Sequence, residues 1–176
     1  MTIEQANEYF SSLPEGFAPA EELRAALLTA DVQKVQFVGV AGTAGKTAAA
    51  GLLAAILREA AFHVGFYRAG CEPLSARIAI GGVSVDPMLL CQAAEALSAA
   101  KPLPREAAEL AAAARCFGAA GCKLAVVELP DAGLASALPN MPVCAVTAIG
   151  PDGVSRSVER LAALAAGVMR KEDRKS

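Results

Sequence analysis

The sequence predicts one α/β domain over residues 1–176, a doubly wound and mostly parallel sheet with a small β-hairpin. Three observations carry this. Short apolar, β-branched runs alternate with longer stretches of helical periodicity, the pattern of a parallel sheet crossed by helices. One of those runs passes directly into a glycine loop and an Ala-rich helix. Hydrophobic residues make up 55% of the chain while aromatics make up only 5% and Trp is absent, so the core is built from Ala, Val, Leu and Ile. Such a core suits thin helices packed closely on a sheet.

Thr2-Ile3-Glu4-Gln5 reads as a capping box opening a helix to about Leu13, which Pro14 and Gly16 end. Pro19-Ala20-Glu21-Glu22 starts a second helix reaching about Ala30, and residues 31–34 lead into a strand over 35–40. A glycine loop follows, then a helix over 47–61 and a second strand over 63–67. Residues 76–85 alternate and turn at Gly81-Gly82, which predicts a β-hairpin. Asp86-Pro87 supplies an N-cap and a first-turn proline for a helix running toward Ala100. Pro102 and Pro104 separate it from a helix over 105–120, closed by Gly121. Residues 123–129 and 143–147 are strands expected to be buried on both faces of the sheet. Residues 155–171 read as a last amphipathic helix with a solvated, charged tail.

The net charge of −2 recommends neither a nucleic acid nor an anionic membrane as partner, and there is no aromatic platform for stacking bases. The longest charge-free stretch, 132–151, contains Pro139, Pro142 and Pro151 and cannot form a spanning helix. The first residues lack a secretory pattern. Five cysteines (Cys71, Cys91, Cys116, Cys122, Cys144) form no Cys-x-x-Cys pair and His63 is the only histidine, so no zinc site is expected. Scattered thiols read as reduced and cytoplasmic. Cys71, in a loop, is the candidate for reactivity; His63 reads as a surface or strand-entry residue.

The chemistry concentrates in residues 34–47, Lys-Val-Gln-Phe-Val-Gly-Val-Ala-Gly-Thr-Ala-Gly-Lys-Thr. Strand, glycine turn and helix N-terminus together make a phosphate cradle: loop N–H groups point inward and the helix dipole favours negative charge. Val40 stands where the commonest spelling of this loop has its first glycine. The working core is Gly42, Thr43, Ala44, Gly45, Lys46 and Thr47. A turn serving backbone geometry alone would need the glycines but not Lys46, which is placed to reach terminal phosphates. Thr47 is placed to offer its hydroxyl to a phosphate-bound Mg²⁺. Glu128 ends the strand Leu-Ala-Val-Val-Glu. Ligands of α/β sheets sit beyond the carboxyl ends of the strands, so this carboxylate is expected to face the loop and hold Mg²⁺, directly or through water. The alternative is an ordinary polar strand end before the turn at Pro130-Asp131. Arg77 reads as either a solvated face residue or an anion contact.

Five segments occur in a specific order: Gly42-Thr43-Ala44-Gly45-Lys46, Val64-Gly65-Phe66-Tyr67, Ala76-Arg77-Ile78, Glu128, and Val146-Thr147-Ala148-Ile149-Gly150. They resemble, in turn, the Gly-Thr-Asn-Gly-Lys loop, the Val-Gly-Leu-Tyr strand, the Glu-Arg-Ile hairpin segment, the Glu-Val-Gly strand end and the Thr-Ser-Ile-Gly segment of one family. That family is the folylpolyglutamate synthases, relatives of the Mur ligases, and the resemblance covers their N-terminal ATPase domain. It implies a P-loop NTPase fold of the Mur ligase central-domain type, with ATP and Mg²⁺ as cofactors and a folate-like or amino-acid substrate. In the family, ATP and a folate carboxylate form an acyl phosphate that the amine of glutamate attacks. A C-terminal domain closes over two metal sites.

The chain departs from that pattern at several points. The family's Thr-Ser-Pro-His-Leu stretch, with its metal-binding Ser, is Arg68-Ala69-Gly70-Cys71-Glu72, and Ala69 has no oxygen to give a metal. The Asp-His after Ser-Ile-Gly becomes Asp152-Gly153. The carbamylated lysine aligns with Ala165, the loop Asn is Ala44, and the glutamate-binding domain has no counterpart in these residues. An acyl phosphate formed without closure would also be open to water. The expectation is therefore a nucleotide-binding module that does not ligate alone, a pseudoenzyme. The alternatives are an active ligase subunit completed by another chain and an unrelated small P-loop NTPase or kinase. The face that a C-terminal domain covers in relatives is expected to be covered by self-association or by a partner chain.

Overall fold

The computed structural model describes residues 1–16, 18–130 and 132–148. Helix α1 (Ile3–Ser12) opens with the expected capping box: the Thr2 N–H donates to Gln5 Oε1 at 2.8 Å and the Gln5 N–H donates to Thr2 Oγ1 at 3.3 Å. Helix α2 (Ala20–Ala26) ends four residues before the expected Ala30. Thr29 competes with helical continuation, since its hydroxyl accepts from the Val32 N–H at 3.4 Å and introduces a 3₁₀ turn over Val32–Lys34.

Strand β1 (Gln36–Ala41) runs through the glycine loop into α3 (Lys46–Glu59), and β2 (Val64–Tyr67) follows. The hairpin is shorter than its alternation suggests. Ala76 and Arg77 belong to a helical turn, α4 (Leu74–Arg77), set by Pro73, and only β3 (Ile78–Ile80) and β4 (Val83–Ser84) pair. The turn between them sits at Gly81 and Gly82, with φ of 61° and 85°, as a two-residue hairpin requires. Helix α5 (Pro87–Ser98) is capped by Asp86, whose Oδ1 accepts from the Met88 N–H at 2.8 Å. After α6 (Arg105–Ala119) come β5 (Leu124–Glu128), a 3₁₀ segment over Ala132–Ala137 and β6 (Val143–Val146).

The sheet order is β4-β3-β2-β5-β1-β6. β2, β5, β1 and β6 are parallel, and β3 and β4 add an antiparallel edge. β5 is central and almost wholly buried, as expected for a strand covered on both faces. β6 is not: among the described residues it is an edge strand, and Val143, Ala145 and Val146 are exposed. The helix expected over residues 155–171, together with Ile149 and Gly150, lies outside the described residues. No helix among the described residues is long and apolar enough to cross a membrane.

The core explains how a chain so poor in aromatics packs. α6 is buried along Ala107–Ala114 and lies close to the sheet at β2. A Cβ added at Gly65 would stand 2.4 Å from the ring of Phe117, so the absent side chain is what lets the helix approach. α1, α2, α5 and α6 share this larger core, and α3 closes a smaller one over Val40, Val64 and Val126 with Ala50 and Ala54. Both layers leave the carboxyl ends of β1, β2 and β5 at one rim of the sheet.

Candidate functional site

At that rim β1 ends on Ala41, and Gly45, with φ of 78°, forms the N-cap of α3 without a side-chain cap. The first N–H groups of a helix have no intrahelical acceptor, so here they remain available to an anion, with the positive end of the helix dipole behind them. Thr43, Ala44 and Gly45 are exposed. Lys46 folds back over the loop and donates from Nζ to the Gly42 carbonyl at 2.8 Å.

Thr47 and Glu128 meet as the strand-end rule anticipates. Parallel pairing sets Val40 opposite Glu128 and brings the carboxylate to the loop. The Thr47 hydroxyl lies 3.0 Å from Oε1 and 3.1 Å from Oε2 of Glu128, which is only 4% exposed. No basic side chain among the described residues bonds this carboxylate. A buried carboxylate and a hydroxyl are hard oxygen donors, and the carboxylate has no counter-ion among the described residues, so the pair fits a divalent cation such as Mg²⁺. No group of three or more His, Cys, Asp or Glu able to hold a metal occurs among the described residues. Mg²⁺ usually takes only one or two carboxylates, and Glu128 supplies one here.

At the same rim, by the ends of β2 and β5, lies a cavity of about 430 Å³ lined by Tyr67, Ala69, Arg105, Glu106, Glu109 and Pro130. A second of about 210 Å³ adjoins it through Gly70, Cys71, Arg105 and Glu109. Beneath both is a buried ion pair. Arg77 donates from its two terminal nitrogens to Glu109 at 2.9 and 2.5 Å, and from Nε to the Glu72 carbonyl at 2.8 Å. The Tyr67 hydroxyl donates to Glu109 Oε2 at 3.4 Å, and burial pushes its pKa up. Arg77 is thus neither a solvated face residue nor an anion contact: with 3% of its side chain exposed, it is a structural cation. Sequence reasoning missed Glu109. The available signal was a carboxylate inside the apolar run Ala107-Ala108-Glu109-Leu110-Ala111, at a position whose neighbours are all core residues.

The remaining candidates sort by burial. His63 is exposed. Cys116 and Cys122 are core residues whose thiols burial pushes up to about 12 and about 11, which makes them poor nucleophiles. Cys71 is exposed on the loop between the cavities. In the same loop Arg68 pairs with Glu72 at 3.0 Å. Asp131, Asp152, Gly153 and Ala165 lie outside the described residues.

No protein-family model matches the sequence, and no curated protein does. Solved structures do. The chain is similar to the bifunctional folylpolyglutamate synthase/dihydrofolate synthase of Yersinia pestis, with 20% identity and a TM-score of 0.70 over 83% of this chain and 38% of that one. It is similar to E. coli FolC in complex with DHPP and ADP, with 20% identity and a TM-score of 0.69 over 84% of this chain and 38% of that one. The Mycobacterium tuberculosis folylpolyglutamate synthase complexed with ADP gives 21%, 0.69, 84% and 37%. The chain therefore shares the fold of these folylpolyglutamate synthases over the matched part, an α/β domain with a mostly parallel sheet, as its sequence predicts. It spans well under half the length of each of these three proteins.

Proposed function

We infer that this chain is an ATP- and Mg²⁺-binding domain of the folylpolyglutamate synthase kind that does not ligate by itself. The observation that carries the reading is the Thr47 hydroxyl held by the buried Glu128, which has no counter-ion among the described residues, at the mouth of the Gly42–Lys46 loop. In this reading the backbone of Gly42, Thr43, Ala44 and Gly45 cradles phosphate, and Lys46 exchanges the Gly42 carbonyl for a phosphate oxygen. Thr47 and Glu128 hold the metal, which neutralises phosphate charge when bound. Complexes of proteins of this fold with ADP, and of one with Mn, AMPPNP and L-glutamate, support nucleotide binding.

Two features support the absence of ligation. Ala69 puts a methyl group where the resemblance expects a metal-binding oxygen. Ala44 likewise leaves a methyl group where the resemblance expects the loop asparagine.

Isothermal titration with MgATP tests the first half. Binding heat is expected, and Lys46→Ala should weaken binding by about tenfold or more, since hydrogen bonds to charged groups contribute roughly 1.5–3 kcal/mol. No heat with any adenine nucleotide would overturn the reading. For the second half, the isolated protein given folate, ATP and glutamate should yield no glutamylated product by mass spectrometry. Product detection would restore the ligase. A ligase completed by a second chain has one observation in its favour: the relatives' remaining length lies beyond the matched part. Activity appearing only on addition of that chain would identify it.

A further inference from the structure

We propose that Thr147 is a positioning residue: its hydroxyl, with the carbonyl of Ala148, splints the phosphate loop to β6 and sets the orientation of the loop's peptide groups toward a bound phosphate. The ligand half of this rests on the nucleotide-binding reading above; the splint itself does not.

Parallel pairing sets Ala41 opposite Val146, so the residues just after β6 run beside the loop just after β1. Four hydrogen bonds join the two segments. The Thr147 N–H donates to the Ala41 carbonyl at 3.0 Å, and the Thr147 hydroxyl donates to the Ala44 carbonyl at 2.6 Å. The Ala148 carbonyl accepts from the Thr43 N–H at 2.8 Å and from the Thr43 hydroxyl at 3.3 Å. A second, longer approach of Thr147 Oγ1 to the Ala41 carbonyl, at 3.3 Å, competes for the same single proton, and the shorter contact to Ala44 is the one that takes it. The approach is close enough to dictate sequence on the other side. A Cβ on Gly42, whose φ is 137°, would stand 2.5 Å from Thr147 Oγ1 and 2.8 Å from the Ala148 carbonyl oxygen.

The consequence follows from peptide geometry. No described peptide bond is cis, and across a trans peptide the C=O and the next N–H point in opposite directions. Turning the Ala44 carbonyl toward β6 turns the Gly45 N–H away from it. Turning the Thr43 N–H toward Ala148 turns the Gly42 carbonyl the other way, where Lys46 Nζ meets it at 2.8 Å. One strap therefore fixes two peptide planes, one aiming a donor out of the strap and one holding the lysine over the loop. Preorganised donors bind an anion without a further ordering cost, and releasing them restores that cost.

Thr147→Val keeps shape and backbone bond but removes the hydroxyl; Thr147→Ser keeps the hydroxyl. In the free proteins, amide exchange over residues 42–46 should be about tenfold faster in Thr147→Val and near the unmodified rate in Thr147→Ser, with exchange in β5 and α6 unchanged in both, on the scale of one lost hydrogen bond. MgATP affinity should fall by about fivefold to tenfold in Thr147→Val and recover in Thr147→Ser. Unchanged exchange in Thr147→Val overturns the splint. Faster exchange with unaltered affinity overturns its role in positioning the loop. If the unmodified protein binds no nucleotide, the reading of the site fails instead, and exchange alone decides the splint.

Discussion

Arg77→Ala is expected to destabilise the protein by about 3–5 kcal/mol, the range for breaking a buried ion pair from one side. The argument is one of desolvation. Glu109 has 7% of its side chain exposed and receives both terminal nitrogens of Arg77, at 2.9 and 2.5 Å. With the guanidinium gone, its charge keeps only the Tyr67 hydroxyl at 3.4 Å, too long to compensate a carboxylate out of water. Against a total stability of about 5–15 kcal/mol, such a loss leaves the domain marginal. Urea unfolding should show a lower midpoint with an unchanged slope.

The paired change Arg77→Met with Glu109→Leu removes both charges and leaves apolar side chains among Tyr67, Leu74 and Phe10. It should recover most of the loss, because the cost is that of an orphaned charge more than of a lost attraction. A single variant within 1 kcal/mol of the unmodified protein would sink the argument, and so would a paired variant no better than Arg77→Ala. The loop has a stake as well: Arg77 Nε holds the Glu72 carbonyl, and the Arg77 carbonyl accepts from the Arg68 N–H at 2.9 Å. Loss of the pair therefore loosens the wall between the two cavities.

That ion pair also marks the limit of what the chain discloses. The parallel strands and the long helices were legible because each is local: an apolar run, a cap, a glycine at a fixed offset. The residues of the candidate site, Gly42 to Thr47, are contiguous, and Glu128 joins them through one topological rule about strand ends. Their meeting is visible in the bonds between Thr47 and Glu128. Arg77 and Glu109 lie 32 residues apart on different elements, and no periodicity ties one to the other. The exposure of β6 was illegible for a related reason. A β-branched run reads the same at the centre of a sheet and at its edge, because its second neighbour is a tertiary fact. The Arg77 segment went astray locally, where alternation over Ala76–Ile80 outweighed the turn that Pro73 initiates.

Glu128→Gln should move nucleotide affinity in opposite directions with and without metal, and this is the sharpest consequence of the proposed site. A carboxylate beside a phosphate is repulsive until a cation lies between them, and in a partly desolvated site that repulsion is large. Metal-free ATP should therefore bind a few-fold more tightly to Glu128→Gln than to the unmodified protein. MgATP should bind about tenfold or more weakly, in line with the cost of disturbing a metal site's ligand shell. Glutamine still accepts from the Thr47 hydroxyl, so the loop keeps its local bond. Removing a buried charge that has no counter-ion among the described residues should leave thermal stability unchanged or raise it. Titrations with and without EDTA read both affinities on the same protein. If both move the same way, or neither moves, Glu128 serves only as an acceptor for Thr47 and the proposed metal role falls. If they diverge, the buried charge is explained: its energetic cost in the free protein is offset when the nucleotide arrives with its metal.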